Sequence, residues 1–225
     1  MKPQKYNIAI FDTFKTRNNK FTGEAKRQRG IIAHLATEQS PELRTRTSIA
    51  HIIADKQGIL WQNIYSGIFR DLDEVLIPSG VVKEAGRLPL QRGPKALQME
   101  GVPFYELTDT GLLVASSIEE VGSSRMKMLE SYIRSIPIGA SNHEVMREGI
   151  LLLIKFVPSF ACKIVSEYVR ACTLGLIEDI TPMDISKLRS VISARIEIEK
   201  ELIESFDLLQ SDQKEAIRRF ISLIS

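Results

Sequence analysis

The sequence predicts a mainly α-helical protein, with three helices and a β-hairpin over residues 24–117 followed by a helical domain over residues 118–225. Three observations lead there. Apolar residues recur at helical spacing through most of the chain, as Ile31, Ile32 and Leu35 do near its start. That spacing stops between Ile77 and Leu113, where Gly86, Pro89, Gly93, Pro94, Gly101 and Pro103 separate short β-prone stretches. Beyond residue 117, helix-start patterns return at Ser117, Ser141 and Thr181.

Residues 1–23 read as a basic N-terminal arm. Tyr6–Phe11 offers one short strand, and the polar stretch Asp12–Gly23 is expected to be mobile or to order only on a partner. Residues 1–30 hold eight Lys/Arg against Asp12 and Glu24, a local net of +6 in a chain whose total is +2. A patch of that density steers a polyanion even on a nearly neutral molecule; a solubilising tail is the plain alternative.

A first helix is expected from Glu24. Ser40-Pro41-Glu42 marks the second, with serine as N-cap and proline at the first helical position. It runs to about Lys56, burying Ile49, Ile52 and Ile53, and Gly58 ends it. The third helix spans about Leu60 to Val75. Its inward face holds Trp61, Ile64, Tyr65, Ile68, Phe69 and Leu72, while Gln62, Ser66 and Arg70 recur every four residues on the opposite face, beside Asn63. In the hairpin, Arg87–Leu90 or Ala96–Met99 faces Val102–Leu107.

The second half carries capping-box spacings at Ser117/Glu120, Ser141/Glu144 and Thr181/Asp184. They predict helices at about 118–136, 142–157, 159–174 and 182–208, with Ser211 capping a last one to Leu223. Pro158 separates the second and third of these. The helix over 182–208 is long and amphipathic, with Ile192, Ile196, Leu202 and Ile203 on one side and Glu197, Glu201 and Glu204 outside. Such a rod packs on another helix, in the same subunit or in a twin.

Several classes are disfavoured. The apolar run Gly149–Val157 is interrupted by Lys155 and stopped by Pro158, far short of the roughly 20 residues of a membrane span. No export signal is recognisable at the start. Cys162 and Cys172 lie ten residues apart in one helical region, about 15 Å on a continuous helix, too far for a disulfide. A reducing cytoplasm is the expected location. His34, His51 and His143 fall on separate helices, with no H-x-x-x-H or C-x-x-C pair and no glycine-rich phosphate loop, so neither metal, cofactor nor enzymatic activity is expected.

The segment Pro103–Ala115 carries the most specific pattern: an aromatic strand with Tyr105, then Leu107-Thr108 at a turn, Gly111-Leu112 at a helix start and Ala115 one turn on. Thr108 suits the cap of a helix beginning at Asp109. This resembles the "Leu-Thr-x-x-Gly" closing segment of winged helix-turn-helix DNA-binding proteins of bacteria and archaea, and with the preceding helices and hairpin the likeness covers about 90 residues. It implies a winged-helix domain over 24–117 whose third helix enters the major groove while the wing rests on the backbone. Gln62, Asn63, Ser66 and Arg70 would then face the bases. Arg87, Arg92 and Lys95 in the wing, Lys26, Arg27 and Arg29 near the arm, and Arg44 and Arg46 by the second helix would meet phosphates. Asp71, Asp73 and Glu74 crowd the end of the third helix, where phosphate would repel them. The implied function is double-stranded DNA binding by a transcriptional regulator or chromosome-associated factor, a homodimer through its C-terminal helices. The alternative is a protein-interaction module within a larger assembly, with the acidic end of the third helix in the contact.

Overall fold

The computed structural model describes residues 8–16, 19–90, 101–137, 141–192 and 197–224. The chain is mainly helical, with one two-stranded antiparallel sheet among the described residues. Three helices come first: α1 (Gly23–Thr37), α2 (Arg46–Gln57) and α3 (Gln62–Arg70). Strands β1 (Val82–Leu88) and β2 (Val102–Leu107) follow, and then α4 (Asp109–Ser116). The remainder is α5 (Arg125–Ser135), α6 (Ser141–Phe156), α7 (Pro158–Thr173), α8 (Ile185–Ile192), α9 (Glu197–Leu208) and α10 (Ser211–Ile224). No helix among the described residues is long and apolar enough to cross a membrane.

The described part of the N-terminal segment is docked, contrary to the expected mobile arm. Ile8, Ala9 and Ile10 are buried, because their backbone groups find partners on α1. The Ala9 amide donates to Gln28 Oε1 at 2.8 Å, and Arg29 Nη1 donates to the Ile10 carbonyl at 3.1 Å. A bridge between Thr13 and Phe21 closes the loop that leads into α1. Buried polar atoms need such partners, and here they convert a polar stretch into a structured lead-in.

Pro41–Arg44 forms a 3₁₀ turn, so the second helix starts later than the Ser40-Pro41 signal indicates. Thr45 is its N-cap, accepting from the Ser48 amide, and Gly58 ends it in the left-handed region as expected. The third helix is α-helical only to Arg70; Asp71–Leu76 continues it as a π-helix, with the Ile77 amide donating to the Leu72 carbonyl at 2.9 Å. β1 and β2 pair from Val82↔Leu107 to Leu88↔Val102, with a bulge between Glu84 and Gly86. Of the two pairings considered for the hairpin, Arg87 and Leu88 are in the strand, whereas Ala96–Met99 lie outside the described residues.

The start of α4 shows why Leu107-Thr108-x-x-Gly111 holds together. Thr108 accepts from the Gly111 amide at 3.1 Å, and its hydroxyl donates to the Gly80 carbonyl at the mouth of β1. Its own amide donates to the Val81 carbonyl at 3.1 Å. One residue thus caps α4 and fastens it to the start of the hairpin.

Beyond α4, two of the predicted capping boxes are not formed as such. Ser117 turns back to the Val114 carbonyl and Glu120 goes to Arg29, so Glu119–Ser124 is a 3₁₀ segment, bent at Gly122, before α5 begins. Thr181 bonds Thr110, leaving Asp184 alone to cap α8 through the Lys187 amide at 2.9 Å. Of the long helix expected over 182–208, the described parts are α8, which starts only at Ile185, and α9; residues 193–196 between them lie outside the described set.

The main core runs through both halves, beside a small second cluster of Ala171, Val191 and Ile192. Ile31, Ile32, Ile49, Ile68 and Leu72 join Leu113, Val114, Leu129, Val165 and Tyr168 in one contiguous buried cluster. Two phenols latch the loop before α8 onto it. Tyr168 Oη donates to the Ile180 carbonyl, and the Met183 amide donates to Tyr132 Oη, both at 3.0 Å. Burial pushes the Tyr132 phenol up to about 12, so it stays protonated in this role.

His34 on α1 makes the fold sensitive to acid. Nε2 bonds the Leu43 carbonyl at 2.8 Å and therefore donates, tying α1 to the 3₁₀ turn before α2. Burial holds its pKa below the usual 6.5. Because the folded value is depressed, this ring's contribution is complete above about pH 6.5 and is lost as pH falls through the folded value. Urea titrations between pH 8 and pH 5 should show stability declining below about pH 6.5, with a shallower decline in His34→Gln; equal slopes would remove His34 as the cause.

Candidate functional site

The exposed side of α3 is built by its own periodicity. Ile64 and Ile68 are buried against the core, which turns Gln62, Asn63, Ser66 and Arg70 to solvent. The short link Gly58–Trp61 joins α2 to α3, and the π-helical stretch Asp71–Leu76 leads from α3 toward the hairpin.

Between the buried and exposed faces runs a row of half-buried rings. Trp61 meets Tyr65 edge-on at 5.2 Å, Tyr65 lies 4.5 Å from Phe69, and His51 of α2 lies 4.5 Å from Trp61. The Arg46 guanidinium sits 4.7 Å over Phe69 and 5.4 Å from the Tyr105 ring. The i, i+4 spacing of Trp61, Tyr65 and Phe69 predicted that they share a face; it did not show that they zip α3 to α2 from the side. Each such aromatic contact is worth about 0.5–1.5 kcal/mol beyond burial.

The acidic end of α3 is neutralised from two directions. Asp71, fully buried, accepts from Arg27 Nε at 2.8 Å, and Asp73 is ion-paired with Arg46. Arg27 lies flat on α3 at Gly67, where an added Cβ would come within 2.7 Å of its Nε. Glu74 stays exposed. These pairings lay beyond sequence reasoning, since 44 residues separate Arg27 from Asp71 and no local pattern links them.

The same contacts decide what the other nominated cations do. Arg29 is only 4% exposed, its fork held by Glu120 at 2.6 and 2.5 Å with Phe21 stacked 4.1 Å away. It joins the N-terminal segment, α1 and the turn before α5, and it does not face solvent. Arg44 donates twice to the Glu38 carbonyl, closing the C-terminus of α1. Arg87 pairs with Glu84 at 2.7 Å and Lys83 with Glu106 at 3.0 Å, so both flanks of the hairpin carry matched charges. Arg92 and Lys95 lie outside the described residues. Lys26 is exposed, as are Lys15 and Lys20 of the lead-in segment, and none of them has an ion-pair partner among the described residues.

Both thiols are poor nucleophiles. Burial raises the Cys162 thiol above its ordinary value and pushes that of Cys172 up to about 11. Among the described residues, no group of three or more His, Cys, Asp or Glu is placed to hold a metal ion.

No protein family, curated protein or solved structure matches this chain.

Proposed function

We propose that the chain is a winged-helix DNA-binding protein, a transcriptional regulator or chromosome-associated factor, which presents α3 to the major groove of duplex DNA. The observation that carries this reading is the outward face of α3. Gln62, Asn63, Ser66 and Arg70 are all exposed on it, and they are residue types whose donors and acceptors match base edges. Its setting is consistent with that use. A hairpin and then a capped helix follow α2 and α3, and a bridge from Thr45 to Phe104 lays the link before α2 along β2 as a rudimentary third strand. Arg27 and Arg46 also quench the two carboxylates that would otherwise repel phosphate.

Fluorescence anisotropy with random-sequence duplexes tests the reading. Affinity is expected to fall steeply between 50 and 200 mM salt, with each phosphate contact adding about 0.9 to the log–log slope. Lys26→Ala should weaken all sequences alike and reduce the slope by about one. Arg70→Ala or Asn63→Ala should instead alter the preferred sequence, at about 1–3 kcal/mol for the base it reads. Absence of duplex binding at 50 mM salt would end the proposal.

One observation favours a second reading, a protein-interaction module in a larger assembly. The turn between α2 and α3 exposes Ile59 and Leu60, the latter at 69%, beside a helix whose nearby arginines are largely engaged within the chain. Leu60→Ala, which adds no charge beside α3, separates the two: it should leave DNA affinity within about twofold and weaken capture of a partner protein at least tenfold.

A further inference from the structure

Among the side chains the structure describes, the two last helices bury almost nothing. No residue of α9 is buried, and Ile198, Leu202, Ile203 and Leu208 of α9 with Phe220 of α10 are each more than half exposed. A helix of 12 or 14 residues is marginal in water by itself and owes its stability to packing of its apolar face. The ties seen here are slender. Lys163 of α7 is ion-paired with Glu199, and Lys214 and Arg218 of α10 lie 5.6 and 5.9 Å from the Phe206 ring at the corner between the two helices. These helices therefore need a covering surface that the rest of the described chain does not provide.

Their charges indicate which surface. α9 carries Glu197, Glu199, Glu201, Glu204 and Asp207 against Lys200, a net of −4. α10 carries Lys214, Arg218 and Arg219 against Asp212 and Glu215, a net of +1. Two α9 helices side by side would repel, whereas α9 against α10 attracts. A two-fold axis brings each patch onto its own copy, so a surface with an acidic half and a basic half complements itself when the copies cross.

We propose that α9 and α10 form the interface of a homodimer in which α9 of each protomer packs on α10 of the other. The four helices make an antiparallel bundle that encloses Leu202, Ile203 and Phe220 and keeps the acidic helices on the diagonal. The dimer needs no nucleic acid, so it stands or falls separately from the DNA reading.

Sedimentation equilibrium of the full chain without DNA is expected to give twice the 25.4 kDa chain mass at micromolar concentration. Leu202→Asp/Phe220→Asp changes only exposed positions, and it should raise the dissociation constant about tenfold or more while the thermal transition of the main core persists. Reversal of α9 (Glu201→Lys/Glu204→Lys) and reversal of α10 (Arg218→Glu/Arg219→Glu) should each weaken the dimer. Mixing the two reversed proteins should restore it as a heterodimer, because the unaltered α9, at −4, then meets the unaltered α10, at +1, and the reversed α10 meets an α9 brought to zero net charge instead of one at −4. A monomeric wild type, a dimer indifferent to Leu202→Asp/Phe220→Asp, or a mixture that gains nothing overturns the proposal.

Discussion

Arg27→Ala is expected to lower the free energy of unfolding by about 3–5 kcal/mol, a large part of the roughly 5–15 kcal/mol that holds a typical domain together. Asp71 is the reason. Its carboxylate is fully buried at the junction of the α- and π-helical parts of the third helix, and Arg27 is its ion-pair partner among the described residues. Removal of the guanidinium leaves a charge where water cannot reach it, which costs far more than the loss of an exposed pair. Arg27→Met/Asp71→Leu removes both charges and should regain most of the stability, since an apolar pair of similar volume substitutes well for a buried ion pair. Urea unfolding of the two singles and the double measures the coupling directly. A loss under about 1 kcal/mol in Arg27→Ala would place the pair with ordinary surface bridges. The contact also bears on the candidate face, because it ties α3 to α1, and α3 carries Gln62, Asn63, Ser66 and Arg70.

Gly111→Ala is expected to cost about 3 kcal/mol, near the upper end for overpacking. An added Cβ would lie 2.2 Å from the Val81 carbonyl oxygen and 2.9 Å from Leu107 Cβ. The oxygen belongs to backbone and already accepts from the Thr108 amide, so relief requires α4 and the start of β1 to separate. For a chain of this size the loss corresponds to a fall in Tm of roughly 6–12 °C. Thr108→Val keeps the shape and loses the cap, and should cost only about 1 kcal/mol. A Tm for Gly111→Ala within 2 °C of wild type would show that the close approach is not held in solution.

The helices, the hairpin and the outward face of α3 were legible in the sequence, because each follows from local spacing. Ile64 and Ile68 alternate with Gln62, Ser66 and Arg70 at the helical repeat, and burial of one set exposes the other. Thr108 and Gly111 were legible for the same reason, with cap and helix three residues apart. The candidate phosphate contacts were harder to judge. Arg27, Arg29, Arg46 and Lys26 look alike in a list of cations, yet the fold gives the first three acidic partners and leaves Lys26 in solvent. Ser117 and Thr181 had the right spacing for caps and took other partners, since a hydroxyl forms whichever hydrogen bond packing brings near.

Sequence by itself determined the class of the fold, the order of its elements and the residues at the surface of α3, all properties of residues a few positions apart. Tertiary structure alone decided that residues 8–16 are docked, that the acidic end of α3 is neutralised and that one core joins the two halves. Those outcomes depend on pairs such as Arg27 with Asp71 and Arg29 with Glu120, 44 and 91 residues apart. Charge and burial act through space, and only the folded chain sets those distances.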